Sequence, residues 1–205
     1  MKTSLLATSV ATALLGLGAI QAASAQTTTS ASAVTAGNYV VEPGHTQVEF
    51  KLLHIGFTYY SGVFSNVSGT LVLDPAKPSA SKLDVTIPIN SVATTSTKLD
   101  GELKSATWFD ADKFATATFV SSAVTRTGKD TAKVAGVLTL HGVSKPETLT
   151  VRFIGAGVNP LDKKYTAGFE ATGTIKRSDF GVKTYLPLIG DEVKLTIAGA
   201  FEQQG

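Results

Sequence analysis

Three histidines are the residues of this chain best suited to bind a metal or move a proton: His45, His54 and His141. Imidazole is the commonest metal ligand in proteins. None of the three stands at a His-x-His or His-x-x-x-His spacing, and the chain contains no cysteine. The spacing therefore favours turn-stabilising roles for His45 and His141, which are next to glycine. It leaves two readings for His54: a core histidine, or a hydrogen-bond donor to a ligand.

A second polar group is the run Arg177-Ser178-Asp179. The guanidinium of arginine suits an anionic headgroup because its donors form a planar fork. Turn chemistry favours the alternative, an internal ion pair or a bend in which Asp179 bonds its own backbone. The chain has no Gly-x-Ser-x-Gly motif, no cysteine nucleophile and no glycine-rich phosphate loop. We therefore predict a protein without enzymatic activity; an enzyme that uses His54 is the alternative.

The stretch that carries His54 alternates between polar and apolar residues. A period of two predicts a β-strand with one face toward solvent and one toward the core. Gly56 ends this run, and a second β-rich run extends from Phe57 to Leu73, before Pro75. The pattern predicts a long hairpin that begins an antiparallel sheet. The residues of its first strand that face the core are Val48, Phe50, Leu52 and His54.

Similar alternation along the rest of the chain predicts an all-β fold of about eight strands joined mostly by short turns. The exception is a short helical segment near 97–110, where Leu99 and Leu103 are four residues apart and Trp108 follows. We expect this segment to close one end of a barrel. Repeated strands form sandwiches or barrels, and no Cys-Trp-Cys pattern supports an immunoglobulin sandwich. An antiparallel barrel of about eight strands can just hold one small ligand.

The N-terminal part predicts export. Lys2, an apolar run from Leu5 to Ile20 and the sequence Ala23-Ser24-Ala25 form a signal peptide, 1–25, cleaved after Ala25. The Thr/Ser/Ala-rich segment 26–37 is predicted to be a flexible leader, and 38–205 a single domain. The mature protein is thus expected in the periplasm and not across a membrane. The chain has 18 basic and 16 acidic residues without basic clusters, which disfavours nucleic-acid binding.

Several motifs, in this order, resemble the YceI family of exported bacterial lipocalin-like proteins. The resemblance extends from Tyr39 to about Glu202. The motifs are Gly44–Phe50 followed by His54; Gly62–Phe64; Asp100 with Leu103–Ser105 before Trp108–Asp110; Gly136–Pro146; Arg177–Val182; and Ile189–Val193.

The resemblance implies an elongated antiparallel eight-stranded lipocalin-like barrel with a hydrophobic tunnel. It implies that the partner is a long-chain isoprenoid or other amphiphilic lipid, such as polyprenol or isoprenoid quinone, and that the protein transports or sequesters it. No metal and no other cofactor are expected. Glu102 and Glu147 depart from the usual family pattern; if position 102 lies near the lipid head, an acid in place of the usual histidine changes the preferred headgroup. A lipid-modifying enzyme that uses His54, a stress-related protein-interaction module and a homodimer remain open.

Large apolar residues are spread over many predicted strands. They form a solid core in a packed barrel and line a tunnel in a hollow one. Burial of each ligand CH₂ gains about 0.8 kcal/mol, so such a tunnel can bind a lipid with few polar contacts. The predicted ligand-binding residues are Val48, Phe50, Leu52, His54, Phe57, Tyr60, Phe64, Leu103, Trp108, Phe119, Leu138, Leu140, Phe153, Phe169, Arg177 and Phe180.

Overall fold

The computed structural model describes residues 27–205, so the predicted signal peptide lies outside the described residues. Within this range the chain forms ten β-strands and one α-helix. The elements are β1 Gly37–Val41, β2 Gln47–His54, β3 Thr58–Phe64, β4 Ser68–Leu73, β5 Lys82–Pro88, α1 Thr97–Lys104, β6 Thr116–Arg126, β7 Thr131–Leu140, β8 Val143–Val158, β9 Tyr165–Lys176 and β10 Ile189–Gln203.

The strands form a closed antiparallel barrel. Hydrogen bonding runs from β1 through β4 and then in chain order to β10, which pairs with β1 and closes the ring. β1 and β2 lie end to end along β10, since Val41 is opposite Phe201 and Gln47 is opposite Ala198. β3 and β4 extend each other in the same way beside β2 and β1. The wall therefore has eight strands, as the sequence predicts.

The predicted first hairpin is present as β2 and β3, joined at Ile55-Gly56. The N–H of Phe57 donates to the carbonyl of His54 at 3.0 Å, which closes the turn. The second run is interrupted at 65–67 and does not continue unbroken to Leu73. Asn66 has φ 55°, a left-handed conformation that turns the chain out of the extended path.

One end of the barrel, here called the helical end, is filled by side chains. It contains the β2–β3 turn, α1 and a 3₁₀ helix at Arg177–Phe180. α1 ends at Lys104, earlier than the 97–110 segment predicted; its Ser96 cap accepts the N–H of Leu99 at 3.3 Å. The rings of Phe50, Phe64 and Phe109 pack in sequence with centroid separations of 5.6 and 5.7 Å. These contacts close this end of the barrel.

The opposite end, here called the open end, carries the β4–β5, β6–β7 and β8–β9 turns. Residues 27–36 cross it and form what we call the N-terminal strap. The sequence predicts a flexible leader here, yet Thr28 pairs with Ala156 and Val34 is only 7% exposed. The difference arises because alanine and valine in this Thr/Ser-rich segment supply apolar surface that packs on the barrel. Among the described residues, no helix is long and apolar enough to cross a bilayer.

Candidate functional site

An apolar cavity of about 260 Å³ lies inside the barrel and extends inward from the open end. β2 and every strand from β4 to β10 contribute to its wall. Alternation places these residues inside because every second side chain of a strand faces the core. The apolar residues that line it include Val48, Leu71, Leu83, Val85, Ile87, Phe119, Val134, Leu138, Leu149, Val151, Phe153, Phe169, Ala171, Ile175, Leu195, Ile197 and Phe201.

Aromatic rings and glycines together shape the cavity wall. Phe153 is opposite Phe169, and their rings pack edge to face with a centroid separation of 5.6 Å. Phe169 meets Phe201 in the same way at 5.9 Å. The ring of Phe119 lies over Gly136, where an added Cβ would be 2.5 Å from Cζ of that ring. A glycine at this position is therefore required for Phe119 to lie flat against the wall.

Charged residues surround the cavity at the open end, but the contacts around them are local. The side chain of Arg126 donates through Nε and Nη2 to the carbonyls of Gly128 and Lys129, both at 2.8 Å. Oδ1 of Asp130 accepts the N–H of Ala31 in the strap at 3.4 Å. The open end thus carries both positive and negative side chains, and Arg126 is hydrogen-bonded to backbone carbonyls of its own hairpin.

Toward the helical end β8 and β9 no longer pair, and we call the unpaired region between them the side gap. The two strands pair from Thr150 and Thr172 onward, whereas 143–149 and 173–176 do not pair with each other. Glu147 faces the cavity beside this gap and is half-buried. Burial raises the pKa of its carboxyl above the usual 4.5, and the charge of Asp179 raises it further. Within residues 27–205 this carboxyl has no hydrogen-bond or ion-pair partner.

Arg177 is buried at the helical end and does not line the cavity; it is 4% exposed. Its guanidinium donates to the carbonyls of Gly190 at 2.9 Å, Val182 at 2.9 Å and Ile189 at 2.8 Å. Burial lowers the pKa of Arg177 from its usual value, and Asp191 partly opposes this. Arg177 therefore stabilises the connection between β9 and β10.

Asp191, and not Asp179, bonds the polar bend at residues 177–180. Its carboxylate accepts the N–H and the hydroxyl of Ser178 at 2.9 and 2.7 Å. Burial alone would raise the pKa of Asp191, but these bonds from Ser178 and the nearby Arg177 lower it below the usual 3.8. The predicted turn chemistry is thus present, with a different acid from the one the sequence suggested.

The structure divides the sixteen predicted ligand-binding residues into four groups. Five line the cavity: Val48, Phe119, Leu138, Phe153 and Phe169. Seven are buried outside it: Phe50, Phe64, Leu103, Trp108, Leu140, Arg177 and Phe180. Leu52, His54 and Tyr60 are half-buried on the β2–β3 hairpin, and Phe57 is 85% exposed at its tip. Contact of any of them with a ligand stays a prediction.

The sequence reasoning missed several lining residues, among them Leu71, Val85, Leu195 and Ile197. Each faces inward on an alternating strand, so the signal that identified Val48 could have found them. Alternation shows which face of a strand a residue occupies. It does not show whether that residue lies at the filled end or at the hollow end. The sequence therefore predicts ligand contact for inward-facing residues at both ends.

The three histidines lie on separate elements and have local partners. Nδ1 of His45 is 2.6 Å from a carboxylate oxygen of Glu42, and Nδ1 of His141 is 3.1 Å from the carbonyl of Phe180. The ring of His54 is 6.1 Å from that of Tyr60. No group of three or more metal-ligating side chains comes together in the part of the chain that the structure describes.

Comparison with known proteins identifies the family. The YceI-like domain family matches residues 39–201. This chain belongs to that family. Protein YceI of Escherichia coli O6:H1 is 40% identical over 177 residues, which cover 85% of this chain and 92% of that one. A UPF0312 protein of Pseudomonas fluorescens is 40% identical over 176 residues, covering 82% and 88%.

Solved structures share the barrel of this YceI-like protein. Burkholderia cenocepacia BcnA is 27% identical, with a TM-score of 0.71 over 78% of this chain and 98% of that one. A Campylobacter jejuni YceI protein is 32% identical, with a TM-score of 0.67 over 75% and 90%. A polyisoprenoid binding domain from Saccharophagus degradans is 16% identical, with a TM-score of 0.59 over 83% and 100%, and shares the fold.

Proposed function

We propose that this protein binds a long-chain isoprenoid or other amphiphilic lipid in the periplasm and carries or sequesters it without changing it chemically. The observation that carries the proposal is the apolar cavity, which is closed at the helical end and reached from the open end. The family membership and the fold shared with a polyisoprenoid binding domain support a binding role. The predicted signal peptide supports the location.

The size of the cavity limits how much of a lipid it encloses. Small-molecule pockets measure about 300–1,000 Å³, and this cavity of about 260 Å³ lies just below that range. We expect it to hold a few isoprene units, with the remainder of a longer chain leaving through an opening. Affinity then comes from apolar burial at about 0.8 kcal/mol per CH₂.

Native mass spectrometry of protein purified from its own host tests the proposal. We expect a lipid adduct that mild organic extraction removes, and reloading of the extracted protein with polyprenol or isoprenoid quinone. The mass of the bound lipid should stay constant on incubation, which separates carriage from catalysis. Protein that neither co-purifies with a lipid nor takes one up would contradict the proposal.

A pair of neighbouring variants tests the cavity itself. Ala171 is buried and lines the cavity, whereas Thr172 is exposed on the outer face of the same strand. Ala171→Trp fills the cavity, so we expect loss of lipid uptake in a folded barrel. Thr172→Trp adds the same ring outside and should bind lipid as the wild type does. Equal uptake by the two variants, measured by native mass spectrometry, would place the lipid elsewhere.

A further inference from the structure

We propose that Glu147 recognises the polar end of the ligand and selects a hydrogen-bond donor without negative charge, an alcohol or a protonated amine, over a phosphate. This inference rests on the proposed function and specifies the ligand class. Its basis is that a carboxyl group faces an otherwise apolar wall with no protein group to bond.

Position in the sheet exposes this carboxyl to the cavity. Glu147 is opposite Gly136 on β7, and a glycine offers no side chain that could cover or bond it. On its other side β9 no longer pairs with β8; the register of the paired part places Ile175 opposite Glu147, and this apolar side chain offers no hydrogen bond. Leu149, two residues along β8, continues the apolar wall. The carboxyl thus lies where the apolar cavity meets the side gap.

The surroundings of Glu147 contain a further acid and no bonded cation among the described residues. Asp179 is close enough to raise the pKa of Glu147, as burial also does. A hydroxyl or ammonium group placed at the gap would donate to the carboxylate, and hydrogen bonds to a charged acceptor are roughly twice as strong as neutral ones. A phosphate there would meet two negative groups. One polar group in an apolar pocket therefore both orients the ligand and sets its class.

The positive charges at the open end do not provide an equivalent site for an anion. Arg126 is held by the carbonyls of its own turn. Lys82 and Lys129 are exposed, with Asp74 and Asp130 in the same rim. An anionic head at this rim stays in water and gains little from surface charge. Selection by headgroup is therefore expected at Glu147.

Three probes with one tail test the inference: farnesol, farnesylamine and farnesyl phosphate. Their dissociation constants are measured by displacement of a fluorescent apolar probe from delipidated full-length mature protein. For the wild type we expect the alcohol and the amine to bind about tenfold or more tightly than the phosphate, the effect of one hydrogen bond to a charged group. Glu147→Val should bring the three constants within about threefold of one another, since it removes both the acceptor and the charge.

Glu147→Gln and Glu192→Val complete the test. The amide keeps a neutral acceptor for the alcohol but loses the charge that favours the amine, so the amine should weaken more than the alcohol and the phosphate should not weaken. Glu192 is an exposed acid on the outer face of β10, and its change to valine should leave the wild-type order intact. An unchanged order in Glu147→Val, with all three probes still binding, overturns this inference alone. Failure of the wild type to bind any of them overturns the proposed function and the inference with it.

Discussion

Ile55 has a backbone conformation that its side chain disfavours. It occupies the first central position of the β-turn 54–57 that joins β2 to β3, with φ 52°, followed by Gly56 with φ 73°. Turns with two positive φ values favour Asn-Gly or Gly-Gly, because a Cβ in the left-handed region crowds the next carbonyl. The side chain of Ile55 is 45% exposed, so burial gives little compensation. This residue therefore lowers the stability of the hairpin.

We expect Ile55→Asn to raise the free energy of unfolding by about 1 kcal/mol, the usual scale of left-handed strain in a branched residue. Urea denaturation monitored by circular dichroism measures the change. Leu53→Asn is the matched control: Leu53 is similarly exposed at 41% but lies inside β2, where asparagine is disfavoured. A loss of stability in both variants would show that apolar contacts at the tip outweigh the strain.

At the scale of elements, Arg177 makes the largest number of side-chain hydrogen bonds in the connection between β9 and β10. Three carbonyls of residues 182–190 accept hydrogen bonds from Arg177, and its guanidinium lies 5.4 Å from the ring centre of Trp108. The connection thus packs on the segment after α1, which closes the helical end. Because this contact is outside the cavity, we expect its loss to lower the stability of the barrel more than its affinity for lipid.

Replacement of Arg177 should destabilise the whole barrel. Arg177→Met leaves three carbonyls without their donor, and we expect a loss of about 3 kcal/mol or more, the usual effect of buried unsatisfied groups. Arg177→Lys should recover only a small part of this loss, because one ammonium cannot reproduce the planar arrangement of donors. Thermal unfolding compares the two. Lipid affinity of the folded fraction should remain near that of the wild type; a selective loss of binding would instead make Arg177 a ligand residue.

The sequence predicts strands better than it predicts their depth in the barrel. Alternation placed Val48 and Phe50 on the same inward face, as observed, but only Val48 lines the cavity. Depth depends on the register between strands distant in the chain, such as Val48 opposite Ile197, and one strand does not encode it. For the same reason the sequence shows Glu147 as a departure from the family pattern but not that it lines the cavity.

At the scale of the whole molecule, the barrel is filled at one end and hollow at the other. The filled end contains Phe50, Phe64 and Phe109 in mutual contact. Several inward positions of β9 and β10 at the cavity are small instead, among them Ala171, Gly173 and Gly199. An eight-stranded barrel is just wide enough for its side chains to fill it, so small residues at one level leave space there. The hollow is thus a consequence of residue size at the open end.

The N-terminal strap lies over the same end and should control exchange of the ligand. Ala31, Ser32 and Val34 line the cavity. Among the described residues only six hydrogen bonds join the strap to the barrel. Two link Thr28 and Ala156 at 2.7 and 2.9 Å, and one runs from the Ala31 N–H to Asp130 at 3.4 Å. The other three run from the Thr35 N–H to the Tyr165 hydroxyl at 3.2 Å, from the Tyr39 hydroxyl to the Thr35 carbonyl at 2.5 Å, and from Gln203 Nε2 to the Ala36 carbonyl at 3.3 Å. Segments with so few contacts open locally at low free-energy cost.

We expect a mature chain that begins at Ala36 to release lipid several-fold faster than the chain that begins at Gln26, because the strap no longer covers the open end and its apolar contacts are lost. Stopped-flow transfer of a fluorescent farnesyl analogue to vesicles measures the rate. A variant without Gln204 and Gly205, exposed residues at the other terminus, serves as the control and should release lipid at the original rate. Equal release from all three proteins would show that the strap does not control the exit of the ligand.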